Sequence, residues 1–232
     1  MAEEFQAGKM ILSDIGMFNE AKILFEEVVE PAVLGAVDEC VEAFAKAEQW
    51  VGVFKFAGDE KDCWLAPVQW NIGAESDELD PKAWLAVDWF NNDCDYWTAL
   101  FCNQGRSGGK AGFMFGADND TFGKKIAWNK AFKQIDPIAI AELKKIGFKI
   151  VENADGKQTF FLPFHLDAAA LAKTWGNDGE FSDGDPCFDP VKAALEKLKQ
   201  ALPIFDTIMN AWPIKSSPKS DSSTQLADPE LV

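Results

Sequence analysis

The residue types and spacings nearest to known chemistry lie in CNQGRSGGKAGFMFG, residues 102–116. Gly105, Gly108 and Gly109 permit positive φ angles, and Arg106 and Lys110 stand beside them. Successive amides in such a connection can form a nest that accepts an anion or the charged group of a partner. A nucleotide phosphate loop asks for more: a strand, then GxxxxGK followed by Ser or Thr, then a helix whose first amides face the phosphate. Here the Gly105 to Gly109 spacing is one residue short, Ala111 follows Lys110, and the next segment has the composition of a strand. Triphosphate hydrolysis at this place is therefore disfavoured. The expectation for 104–110 is a hairpin connection longer than the usual two to five residues, with an anion or partner contact as its functional reading.

Oxygen ligands for calcium or magnesium could come from Asp93 and Asp95, from Asp118 and Asp120, or from Asp178, Glu180, Asp183, Asp185 and Asp189. An EF-hand counted from Asp118 needs an acid or amide at its fifth position and Glu at its twelfth, where Phe122 and Asn129 stand. Helix caps and solvated turns explain these acids with fewer assumptions, so no metal ion and no cofactor is expected. His165 is the sole histidine, and with no GxSxG in the chain its pairing with Cys102 or Cys187 as a nucleophile has no motif behind it. Glu142, Leu143 and Lys144 carry the letters of a nuclease site but fall in an expected helix. A structural histidine and a surface ion pair are the simpler readings.

The charge contrast along the chain is a second candidate. Residues 121–165 hold eight lysines, Lys124, Lys125, Lys130, Lys133, Lys144, Lys145, Lys149 and Lys157, against four acids, a local +4 that leaves −20 for the rest of a chain at −16. The element order expected there, helix, tight turn, helix, hairpin, is that of a helix-turn-helix with a wing. Lysines without arginine give salt-sensitive phosphate contact and no base readout, so nucleic acid is disfavoured as a partner. A solvated face, an internal complement to acidic elements, or contact with an acidic protein accounts for the segment more simply.

These residues need elements to position them. Leu24, Phe25, Val28, Val29, Val33, Val37, Cys40, Val41 and Phe44 recur at spacings of three and four between Phe18 and Glu48, and Pro31 divides them into two helices or one kinked helix. Five strands with turn signals between them are expected at 50–57, 63–70, 83–90, 96–103 and 111–117, an antiparallel meander. A helix is expected over 121–135, and another opened by Asp136 and Pro137 and closed by Gly147. A hairpin should span 148–164 with Asp155 and Gly156 in its turn. Asp167 caps a short helix ended by Gly176, and Asp189 and Pro190 open the last one. Its stripe, Leu195, Leu198, Leu202, Phe205, Met209 and Trp212, contains Pro203. The fold class is α+β: a mostly antiparallel sheet of five to seven strands flanked by N-terminal and C-terminal helices. The domain expectation is one unit over 1–214, with helices at 18–48, the meander at 50–117, helix, helix and hairpin at 121–165, helices at 167–213 and a flexible tail at 215–232.

The totals bound the function. A chain of 232 residues folds to roughly 10,000 Å² of surface from about 37,000 Å² when extended, enough to bury a substantial core. Nineteen Phe and nine Trp against one Tyr suit dry packing better than a sugar-binding face. A net charge of −16 opposes nucleic acid and anionic membrane. Five scattered cysteines without CxxC indicate reduced thiols. With an acidic N-terminus and no long apolar segment, a soluble cytoplasmic protein without a membrane span is expected. The function expected is that of a non-catalytic binding or regulatory protein whose acidic surface contacts a protein partner, a basic one suiting its charge. The alternatives are a metal-dependent hydrolase or nuclease with clustered carboxylates, and a winged-helix nucleic-acid binder acting through 121–165.

Overall fold

A computed structural model describes residues 2–71, 79–91 and 95–212; the expected tail, Asp93 and Cys94 lie outside the described residues. Helices α1 (Ala2–Ser13) and α2 (Ile15–Leu24) lead through a π turn, Phe25–Val29, into α3 (Glu30–Glu48). Helix therefore begins well before Phe18. Pro31 explains the π turn. Lacking an N–H, it leaves the carbonyl four residues back without a donor, and the ladder just ahead of it shifts to i→i+5, with the Glu30 amide donating to the Phe25 carbonyl. The run is continuous through Pro31, which agrees with the single-helix alternative and not with two separate helices. The buried side of α3, Val33, Leu34, Ala36, Val37, Cys40, Val41 and Ala45, packs on the first strand and on the last helix.

Six strands form one antiparallel sheet: β1 (Trp50–Lys55), β2 (Asp62–Pro67), β3 (Ala83–Phe90), β4 (Lys110–Ala117), β5 (Lys149–Glu152) and β6 (Gln158–Pro163), in the order β1-β2-β3-β4-β6-β5. The longest ladder pairs β3 with β4 from Ala83 opposite Ala117 to Phe90 opposite Lys110. Alternation sorts the faces. Ala83, Leu85, Val87, Ala111, Phe113, Phe115, Phe160 and Leu162 join the main core with the residues of α3 and of the last helix, α9 (Asp189–Ala211), whereas Met114, Val151 and Phe161 form a separate strip with Phe90 on the opposite face. The principal helices thus cover one side of the sheet. Phe205 of α9 stacks flat on Phe115 at 4.8 Å between centroids and meets Trp70, Phe148 and Phe160 edge-on, so its ring is the hub of the aromatic core.

Several local expectations are met by the caps. Asp136 accepts from the Ile138 amide at the start of α7 (Pro137–Ile146), Gly147 closes it at φ +123°, and Asp167 accepts from the Ala169 and Ala170 amides to open α8 (Ala168–Asp178). Gly156 turns the β5–β6 hairpin at φ +72°. Elsewhere the structure corrects the sequence. Residues 96–103 are not a strand: Trp97–Phe101 form helix α4, because Trp97, Leu100 and Phe101 lie at i, i+3 and i+4 and all turn toward the core. The expected helix over 121–135 is two, α5 (Asn119–Phe122) and α6 (Lys125–Phe132), divided at Gly123, whose φ of +88° no helix accommodates. The helix expected to stop at Gly176 runs on to Gly179, and Asp189 lies in the first turn of α9 without a side-chain cap.

Candidate functional site

With α4 a helix, residues 104–110 join a helix to a strand, and a 3-10 turn at Arg106–Gly108 fills the connection. Gly108 alone adopts positive φ, +74°. Gly105 and Gly109 serve a different need: a Cβ on either would come within 2.7 or 2.8 Å of the Leu100 side chain. One amide of the loop is taken by a neighbouring side chain. Asp95 Oδ2 takes the Arg106 amide at 2.7 Å, and Asp95 Oδ1 lies 3.9 Å from the Arg106 guanidinium. Lys110 is half-buried at the first position of β4.

The Leu166 amide donates to the Phe101 carbonyl at 2.9 Å, which brings the segments that carry His165 and Cys102 side by side. His165 is exposed in the connection between β6 and α8. Burial raises the thiols of Cys102 and Cys187 and pushes Cys40 up to about 12, which disfavours the thiolate that attack requires. Among the described residues, no group of three or more His, Cys, Asp or Glu side chains could hold a metal ion. The acids have local work. Asp118 caps α5 through the Thr121 amide. Burial alone would raise its carboxyl, but the hydrogen bonds from Thr121, Asp120 and Asn119 outweigh that and hold it below its usual range. Asp185 accepts from the Ser182 amide, and the Asp183 amide donates to Glu39.

The lysines separate into two kinds. Lys124 and Lys125 at the start of α6, Lys144 and Lys145 in the last turn of α7, and Lys149 opening β5 are exposed. The last-turn pair complements the α7 dipole. The expected wing is the end of the main sheet, since β6 pairs with β4 as well as β5. Lys157 is different: only 8% exposed, it donates through Nζ to Asn119 Oδ1 and lies 5.2 Å from the centroid of the Trp128 ring. Around it, Trp84, Gly116, Asp118, Asn119, Asn153, Asp155 and Thr159 line a polar cleft of about 180 Å³. Gly116 makes room for it, because a Cβ there would meet Trp84 Nε1 at 2.4 Å. Asn129 braces the hairpin end of the cleft, donating to the Gly156 carbonyl at 3.0 Å and accepting from the Gln158 amide at 2.8 Å.

The second unusual surface is the N-terminal arm. No residue of α2 is buried, and Phe5, Met10, Leu12, Ile15, Met17, Ile23 and Leu24 are exposed along the arm, Phe5 by 78% and Leu12 by 74%. The arm's root is firmly held. Phe25 meets Tyr96 edge-on at 4.9 Å, the Tyr96 hydroxyl donates to Glu26 at 2.6 Å, and Glu30, 7% exposed, accepts the Trp97 amide at 2.8 Å.

No protein-family model, curated protein or solved structure matches the chain. Two surfaces stand out in the structure, the cleft around Lys157 and the N-terminal arm. Neither was singled out from sequence. The arm had a signal, in the exposed run Phe5, Met10, Ile11, Leu12, Ile15, Met17 and Phe18, whose apolar residues fall on no single helical face. The cleft had none, since its residues are brought together only by the pairing of β3, β4 and β6.

Proposed function

We propose that the protein is a non-catalytic binding protein that docks through its N-terminal helical arm onto another protein, one whose apolar groove is bordered by basic side chains. The observation that supports this reading is that α2 is apolar on several sides and buries none of it. A helix with that pattern is normally enclosed, and an exposed apolar surface of this extent marks an interaction site. Charge selects the occupant. Between residues 5 and 29, Asp14, Glu20, Glu26 and Glu27 outnumber Lys9 and Lys22, on a chain at −16, so two copies repel each other while a basic-rimmed groove is attracted.

Photocrosslinking groups placed at Met10 and Phe18 in the producing cell test the reading. One partner should be trapped at both positions, through a peptide in which apolar residues alternate with Lys or Arg, and the adduct should weaken as salt is raised. Adducts formed only with copies of this chain, or none at all, overturn it.

A further inference from the structure

We propose that the cleft around Lys157 is a binding site for a small monocarboxylate that also carries a hydrogen-bond donor, a hydroxyl or an ammonium group. A buried ammonium has three N–H donors and demands partners for them. Lys157 has one neutral acceptor, Asn119 Oδ1, and the face of Trp128; no carboxylate pairs with it among the described residues. Lys157 lines a cavity of about 180 Å³, room for a small organic ion. A carboxylate supplies the missing charge and two acceptors at once.

The acids of the cleft define the rest of the ligand. Asp118 and Asp155 line it, so a second negative charge meets repulsion, and a phosphate or sulfate dianion is excluded in favour of a monoanion. Asp118 is already engaged by the first amides of α5. The carboxylate of Asp155 has no partner among the described residues and is exposed at the hairpin turn, which leaves it as the acceptor for a donor at the ligand's other end. Trp84, held flat over Gly116, supplies an apolar wall for the carbon between them. This site is separate from the arm, and its occupancy does not depend on the docking reading.

Titration of the full chain with glycine, lactate, acetate and inorganic phosphate, at a pH above 8 where the phosphate is a dianion, tests the assignment, by calorimetry and by the indole N–H resonances of Trp84 and Trp128. Glycine or lactate should bind with Kd of about 1 mM or tighter, acetate several-fold more weakly, and phosphate not at all. Lys157→Met should weaken binding at least tenfold. Because that substitution removes a buried contact to Trp128, Asp155→Asn provides the second check: an exposed change that leaves folding intact and abolishes the preference for glycine or lactate over acetate. Failure of all four probes to bind or move either indole resonance overturns the proposal, as does phosphate binding as tightly as glycine, or a preference that survives Asp155→Asn.

Discussion

Glu30 is the residue on which the root of the arm turns. Its buried carboxylate holds the Trp97 amide, so Glu30→Ala leaves that half-buried donor without its acceptor. The expected cost is about 1–3 kcal/mol, measured as a lower urea midpoint with unchanged slope. Asp95 and Arg106 make a contrasting pair. Arg106→Ala removes a long ion pair whose cation is exposed and should change stability by under about 1 kcal/mol. Asp95→Ala removes the acceptor of a loop amide and should cost more than Arg106→Ala in the same urea titration. Gly116→Ala forces Trp84 off the sheet, and about 1–3 kcal/mol of destabilisation with an altered Trp84 indole resonance is expected. At this scale the sequence was readable where chemistry is local. Asp136, Asp167, Gly147 and Gly156 perform their expected turns and caps within a few residues of themselves. It was opaque where partners are remote: nothing near Lys157 in the chain announces Asn119, and nothing near Arg106 announces that its amide donates to Asp95.

Among the elements, the arm is the most separable. Deleting residues 2–24 removes helix but no buried side chain of α2, so mean residue ellipticity should fall while the melting temperature of the remainder stays within a few degrees. A collapse of the melting transition would show that the arm is part of the core. The strands were legible in proportion to their alternation, and β3 spans the expected 83–90 without adjustment. Helix α4 was misread because Tyr, Trp, Thr and Phe favour strands by composition, whereas the spacing of Trp97, Leu100 and Phe101 favours a helix; the core they share with Phe56 and Phe164 decided between the two. The hairpin expected over 148–164 is formed by β5 and β6, and it ends the main sheet. A free wing and a sheet terminus have the same local sequence, and only the pairing of Gly112 to Met114 with Phe161 to Pro163 distinguishes them.

For the whole molecule, charge sets the pH response. Burial raises the carboxyls of Glu30, Asp38 and Asp88 above their ordinary values. A group whose folded pKa lies above its unfolded one contributes stability that is complete below the unfolded value and lost as pH rises through the folded value. Relief of self-repulsion at −16 should raise the melting temperature as pH is lowered from 7.5 to 5.5, by about 2–4 °C for each kcal/mol regained, and the three acids add to the rise as pH falls toward the ordinary carboxylate range. Asp118 acts in the opposite sense, but its loss falls below the usual carboxylate range, outside this window. Asp38→Asn, which keeps an acceptor for the Ala57 amide, should flatten the rise. A melting temperature that falls between pH 7.5 and 5.5 contradicts the account.

The π turn before Pro31 has a mechanical consequence. From Ile15 to Glu30 the backbone is an unbroken rod of about 24 Å, joined end to end with the helix that lies against β1 and α9. Whatever grips its tip gains a lever on the interior, and torque applied near Phe18 would be delivered to Val33, Val37 and Val41 without passing through a loop.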